Sequence, residues 1–195
     1  KITHYMTGKE LDQSRRVPPL DDDAPERLRV EALTSAGRLD NVSFSVRKGE
    51  ILGITGLLGS GRTEIAQALF GLLPIDSGRV FIDGQQVEVT SIKQAIDAHI
   101  GYVPEDRLTE GLFLDKSIAD NVIAASIDHH TSKLHTLRKE RIRRTIAHYF
   151  EALRIKAPDV LAPVRSLSGG NAQRVVLAKW LARSPKVLIL NGPTV

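Results

Sequence analysis

No cysteine occurs anywhere in the 195 residues, and that absence removes disulfide scaffolds, thiolate zinc sites and cysteine nucleophiles together. A reducing compartment is compatible with it. Long apolar runs are missing too. Nothing approaches the ~18 consecutive apolar residues of a membrane span, and stretches such as Leu69–Leu73 and Val187–Leu190 are core-sized. Any service to a membrane is therefore expected from the water side. Aromatics are scarce at 5%, but 42% apolar and 26% charged residues form an ordinary globular balance, enough for one core or one domain plus a tail. Lys1–Glu10 lacks the apolar stretch of a secretory signal and an initiator Met, so the chain is expected to be a piece of something longer.

The formal net charge of +4 is unevenly placed. Thr131 to Lys156 carries eight Lys or Arg against two Glu, a local +6, which leaves −2 for the other 169 residues. That is not the distributed basic surface of a nucleic-acid binder. Within the segment Leu134, Leu137, Ile142, Ile146, Tyr149, Phe150 and Leu153 recur at helical spacing, with the bases opposite. A solvated helix face is the first expectation and a docking surface the second; no nucleic-acid partner is expected.

Residues 1–26 read as a connector: polar, with Pro18, Pro19 and Pro25 and the acidic run Asp21-Asp22-Asp23. From Arg27 the pattern turns β-like, with Leu28–Leu33, Val42–Val46 and a turn at Arg47-Lys48-Gly49-Glu50. Ile51–Thr55 reads as a buried strand running into a glycine-rich loop and a helix from Arg62 to Leu73. A hairpin is expected over Arg79–Asp83 and Gln86–Val89, a short helix over Ser91–Ala98 and a strand over Ile100–Val103. From Gly111 to Pro163 the signals are mostly helical. A helix over Ser168–Ala182 and a buried strand over Lys186–Leu190 follow. The order implies an α/β domain with an inserted helical part.

Two segments carry chemistry. Gly56-Leu57-Leu58-Gly59-Ser60-Gly61-Arg62-Thr63 fits the phosphate-binding pattern G-x-x-x-x-G-K-[ST] except that Arg62 replaces the Lys. Glycines let backbone N–H groups converge on an anion, and the helix start adds its positive dipole end. Arg62 keeps the charge in a planar fork rather than a compact ammonium, and Thr63 offers the hydroxyl such loops give to Mg²⁺. A glycine-rich turn packed on its own helix would leave the same local trace. The second segment, Leu167-Ser168-Gly169-Gly170-Asn171-Ala172-Gln173, places a serine and two glycines at another helix start. The apolar strand after it ends in Asn191-Gly192-Pro193-Thr194, where a nucleotidase keeps its metal carboxylate and catalytic base.

Taken jointly, these residues resemble the ATP-binding cassette (ABC) ATPases, whose signature motif Leu167–Gln173 resembles. The resemblance is closer to the second cassette of tandem ATP-binding subunits from bacterial sugar importers of the ribose, galactose and xylose type. It is carried by Gly49-Glu50-Ile51-Leu52-Gly53, by Gly59-Ser60-Gly61-Arg62-Thr63-Glu64, by Gly101-Tyr102-Val103-Pro104-Glu105-Asp106-Arg107 and by Leu167–Gln173 with Ala178-Lys179-Trp180-Leu181. Tyr5–Leu11 resembles the tail of a preceding cassette, which makes residues 1–26 an inter-cassette linker. The resemblance implies a P-loop NTPase cassette over residues 27–195. Its parts would be an N-terminal antiparallel β subdomain, a RecA-like core and a helical subdomain at about 111–170, with the C-terminal part lying past Val195. It implies ATP and Mg²⁺ as ligands, held by Gly56, Gly59, Ser60, Gly61, Arg62, Thr63 and Glu64, with Thr63 and Asn191 at the metal. The implied partners are the preceding cassette, a membrane-spanning permease met after Gly101–Arg107 and, indirectly, a periplasmic sugar-binding protein. The implied location is the cytoplasmic face of the bacterial inner membrane.

Against that family's pattern, Glu105 stands at the Q-loop glutamine, Asn191 at the metal-holding Asp, and Gly192 at the general-base Glu. No aromatic lies within residues 31–40 to stack on adenine. All of these positions serve the nucleotide on the chain's own P-loop. Ser168, Gly169 and Gly170, which would act in trans on the partner cassette's site, are intact. The expectation is a cassette that binds nucleotide, hydrolyses it poorly, and completes the opposite site. The alternatives are a non-hydrolysing nucleotide-responsive regulatory module and, more remotely, an ABC ATPase acting on nucleic acid or ribosomes. Among lesser candidates, His129-His130 are expected to be solvated, Trp180 to fill a core or interface position, and Asp106 and Glu110 to make surface ion pairs around Arg107.

Overall fold

The computed structural model describes residues 21, 23–132 and 136–192; expectations resting on Asp22, Tyr5–Leu11, Leu134 and Pro193-Thr194 lie outside the described residues. The chain enters through β1 (Glu26–Ser35) and β2 (Leu39–Arg47), which pair antiparallel, and Glu26 therefore belongs to a strand rather than to the connector. Leu28 and Val30 alternate inward, and the next buried position is Leu33 because the register slips between Val30 and Leu33, where Ala32 takes φ 49°. With β3 (Ser77–Ile82) and β4 (Gln85–Val87) these strands make a sheet of order β2-β1-β3-β4. Asp83 and Gly84, at φ 51° and 75°, close the β3–β4 hairpin as a two-residue turn.

Helix α1 (Arg62–Leu69) is a turn shorter than its apolar spacing predicts. Gly71 adopts φ 72°, and the Leu72 N–H turns back to donate to the Gln67 carbonyl at 2.8 Å. A Cβ on Gly71 would sit 2.4 Å from the carbonyl carbon of Ser91, so the stop is built into the packing. Ser91 in turn caps α2 (Ile92–Asp97), accepting from the Gln94 N–H.

The second sheet is the one that positions the site. Strands β5 (Ile100–Val103) and β6 (Val187–Leu190) run parallel, paired from Ile100↔Val187 to Val103↔Leu190. Every residue of β5 is buried. Phe70 at the end of α1 stacks on Tyr102 of β5 at 5.1 Å and meets Trp180 edge-on at 5.2 Å, so Trp180 fills the core as its sequence context implies.

Between β5 and β6 the chain is helical. Helix α3 (Ile118–Ala124) opens with a capping box of Ser117 and Asp120, and buried Asn121 ties it to the preceding turn through bonds with Phe113 N and O. Helix α3 packs on α5 (Gly169–Leu181), and α4 (Lys139–Ala152) lies against both, its Tyr149 hydroxyl donating to the Leu181 carbonyl at 2.7 Å. Ile146 is buried and Ile142, Tyr149, Phe150 and Leu153 pack on the core, but Leu137 lies outside α4 and is 52% exposed. No helix among the described residues is long and apolar enough to cross a membrane.

Three sequence expectations fail locally. Ile51–Thr55 forms no strand: it has no ladder partner among the described residues, and Ile51, Leu52 and Ile54 stay 79%, 42% and 46% exposed. An apolar run becomes a buried strand only when something pairs with its edge and covers its faces. The two histidines divide rather than sharing solvent. His130 is 3% exposed with neither ring nitrogen partnered among the described residues, and burial, then Arg141 and His129, hold its pKa below the usual histidine value. Asp106 makes no ion pair with Arg107; its carboxylate accepts from the Leu108 and Thr109 N–H groups instead. Hydrogen bonds from Thr109, side chain first, lower its pKa.

Candidate functional site

The carboxyl ends of parallel strands form the natural crevice of an α/β sheet, and β5 and β6 finish side by side. The Asn191 N–H donates to the Val103 carbonyl at 2.9 Å, carrying the ladder one residue past β6. Glu105 and Gly192 therefore leave the sheet as neighbours. A Cβ built on Gly192 would meet Glu105 Cγ at 3.1 Å and its Cβ and Cδ at 3.6 Å.

The start of α1 faces the same end. Residues 56–60 are exposed and curl through a turn in which the Ser60 N–H donates to the Leu57 carbonyl at 3.1 Å. Gly59 and Gly61 take φ 78° and 89°, and Gly61 caps the helix with no side chain spent on its first N–H groups. An α-helix leaves those first groups without an intrahelical partner, so the loop and helix start offer an uncommitted set of donors, with exposed Arg62 beside them. Thr63, in the first turn, is joined to β6: Asn191 Nδ2 lies 3.4 Å from Thr63 Oγ1 and 3.4 Å from the Tyr102 hydroxyl. Glu64, also in the first turn, is partly buried.

Thr63 and Asn191, read as metal residues from their positions in sequence, are thus brought together. Both donors are neutral, and no cluster of three or more His, Asp or Glu capable of holding a metal exists among the described residues. That set fits a Mg²⁺ bound largely through a nucleotide's own phosphates, not an ion caged by protein alone. Tyr102 has no role readable in sequence, although a buried tyrosine normally finds a partner for its hydroxyl. Its pKa is raised first by burial, against the lowering hydrogen bond from Asn191, with the charges of Glu110 and Glu105 adding to the rise.

Ser168, Gly169 and Gly170 lie elsewhere, exposed at the start of α5, and no hydrogen bond joins them to residues 56–64 among the described residues. The Ser168 side chain caps no helix N–H; it accepts from Asn171 Nδ2 at 3.0 Å. Asn171 Oδ1 accepts from the Lys156 N–H at 2.9 Å and from Arg174 at 3.3 Å. Asn171 is a residue whose organising role only the fold reveals. It pins this helix start, whose residues Ser168, Gly169 and Gly170 are exposed and whose first N–H groups no side chain caps. Lys179, further along α5, donates to the Gly111 carbonyl at 2.6 Å, and burial lowers its pKa to about 8. The helix is thereby tied to the turn that follows Glu105.

Comparison with known proteins agrees with this fold. Residues 39–195 match the family described as ABC transporter. The chain is 42% identical over 197 residues to the ribose import ATP-binding protein RbsA of Geobacillus kaustophilus, covering 100% of this chain and 39% of that protein. It is 38% identical over 196 residues to a putative ribose/galactose/methyl galactoside import ATP-binding protein of the same organism, covering 100% and 38%. The chain thus spans about two fifths of the length of the curated relatives it matches. Among solved structures, a nucleotide-free ATP-binding cassette from an ABC transporter superposes with a TM-score of 0.71 at 23% identity, over 87% of this chain and 70% of that one. A dimeric ATP-binding cassette in a post-hydrolysis state bound to ADP and Pi gives 0.70 at 21%, over 86% and 74%. At these identities the likeness speaks for the fold.

Proposed function

Because the chain belongs to the ABC transporter family as an ATP-binding domain, we propose that it is the second cassette of a tandem ATPase that couples ATP binding and hydrolysis to carbohydrate import in bacteria. The relatives' names speak of ribose and galactosides; for this chain the reading extends to the sugar class. The residues before β1, which begins at Glu26, would link it to the preceding cassette, and those from Glu26 to residue 195 would form the cassette body, with the helical subdomain at about 111–170. Its partners would be that cassette and a membrane-spanning permease, with a periplasmic sugar-binding protein acting through the permease, at the cytoplasmic face of the inner membrane.

The observation that carries this reading is the contrast between two ends of the molecule. The signature-like start of α5 is exposed, complete and pinned by Asn171. The chain's own phosphate end presents an amide at Asn191 and no side chain at Gly192. Phosphoryl transfer depends on positioning and charge neutralisation. Here the loop N–H groups and Arg62 would hold the phosphates, and Thr63 with Asn191 would orient Mg²⁺ against them. Bound Mg²⁺ would supply charge neutralisation at the transferred phosphate. Ser168 and the N–H groups behind it would contact the nucleotide held by the opposite cassette.

The test is ATP binding and turnover by the protein carried to the full length of its relatives, with and without the preceding cassette. Binding without appreciable turnover by this cassette alone, and turnover in the pair that falls to a residue in Ser168→Arg, is the expected result. Full turnover by this cassette alone overturns the division of labour. A pair that binds ATP but never hydrolyses it would favour a nucleotide-responsive regulatory module, the reading to which Gly192 lends support.

A further inference from the structure

The position of Gly192 is not empty space. Glu105 folds over it, its Cγ 3.1 Å and its Cδ 3.6 Å from where a Cβ would stand. Two features deny that place to any other side chain: Glu105 already covers it, and Gly192 holds φ 60°, a backbone region that L side chains rarely adopt. Glu105 arrives there from β5, whose end is fixed beside the end of β6 by the parallel ladder and the Asn191–Val103 bond. Its carboxylate is exposed, and no hydrogen bond or ion pair holds it among the described residues. The other acids of this turn are placed differently. Asp106 is spent on the N–H groups of Leu108 and Thr109, and Glu110 lines a cleft of about 330 Å³ that Tyr102 also borders, with Lys179 and Trp180. Glu105 is therefore an unpaired carboxylate lying against Gly192, the residue next to Asn191.

We propose that Glu105 is the water-activating carboxylate of this chain's own phosphate site, and that glycine at 192 is the space that admits it. The proposal rests on the ATPase reading above and assigns the residual turnover of that site to one side chain. In the step, a Glu105 carboxylate oxygen takes a proton from water as the water oxygen bonds to the γ-phosphorus. The bond from phosphorus to the β,γ-bridging oxygen breaks, its electron pair leaves with ADP, and the proton passes from Glu105 to solvent.

The experiment uses the full-length tandem protein carrying Ser168→Arg, which silences the opposite site and leaves this one. Single-turnover hydrolysis of radiolabelled ATP is read beside the affinity of a fluorescent ATP analogue. Glu105→Gln is expected to lower hydrolysis by about 10²-fold or more, the scale of general-base catalysis, with affinity within about threefold. Gly192→Glu alone is expected not to accelerate hydrolysis, because the second carboxylate collides with the first. Glu105→Gln combined with Gly192→Glu is expected to stay as slow as Glu105→Gln alone, because glutamine is as large as glutamate and φ 60° at position 192 still disfavours a side chain. An unchanged rate in Glu105→Gln, hydrolysis restored by adding Gly192→Glu to Glu105→Gln, or ATP binding with no turnover at all would each overturn the proposal while leaving nucleotide binding intact. Loss of ATP binding in the starting protein would instead sink the ATPase reading itself.

Discussion

The two glycine-rich helix starts of this molecule are built on opposite plans. At α5 the donors are held by the chain itself: Asn171 bonds Ser168 and Lys156 at 3.0 and 2.9 Å, and Lys179 ties the helix back to Gly111 at 2.6 Å. At α1 the loop is exposed, its cap is a bare glycine, and its link to the end of β6 is one 3.4 Å contact between Asn191 Nδ2 and Thr63 Oγ1. That contact lies beyond the usual hydrogen-bond optimum. The first helix start is preorganised to meet something brought to it. The second is left to be completed by its ligand. A cassette that lends one site and underuses the other would show this division.

The strongest way to break the comparison is at Ser168. If α5 serves the opposite site, Ser168→Arg costs about 10²–10³-fold in steady-state turnover of the tandem protein, the scale of removing a preorganised donor, while ATP still binds at the α1 loop. If the two ends are equivalent, turnover falls only by about half.

Next in size is the tether of α5. The Lys179 pKa of about 8 lies below its ordinary 10.5 because the amine is buried. Between those values the unfolded chain holds a proton that the folded one has released, so stability rises with pH across that window. Below about pH 8 both states are protonated and the cost of burial is constant. Lys179→Met is expected to lack this rise, which amounts to about 3 kcal/mol from the two pKa values. Urea denaturation of both proteins between pH 7.5 and 10.5 reads the difference directly; parallel curves would mean that the amine is solvated.

Asn191→Asp sharpens the other end. A carboxylate 3.4 Å from the Thr63 hydroxyl would restore a charged oxygen donor. The Mg²⁺ concentration needed for half-maximal nucleotide binding should fall about tenfold, equivalent to about 1.4 kcal/mol. No change would place the metal away from Thr63. The smallest effect is at Asn171→Ala, which removes the bonds to Ser168 and Lys156 and should lower stability by about 1 kcal/mol in denaturant titration. Its turnover should fall more than that figure predicts, because Ser168 loses its orientation.

Much of this was legible along the chain. The hairpin around Asp83-Gly84-Gln85 was legible, though the structure tightens its turn to two residues; Ser91 announced a helix start, and Gly59-Ser60-Gly61-Arg62-Thr63 and Ser168-Gly169-Gly170 announced helix starts of anion-binding type. These features depend on neighbours within a few residues, where backbone torsions and caps act. The apolar run Ile51–Thr55 misled because apolarity states a need for cover without supplying it, and the pair His129-His130 misled because adjacent side chains leave a short helical turn in different directions.

The sequence by itself determined the family, the phosphate-binding pattern of residues 56–63 and the absence of side-chain charge at Asn191 and Gly192. Tertiary structure alone decided which residues surround them. Asn191 meets Thr63 across 128 residues and Tyr102 across 89, and Glu105, just past β5, lies against Gly192. Such meetings follow from the pairing of β5 with β6, a long-range packing event in which the two partners carry no mark of each other along the chain.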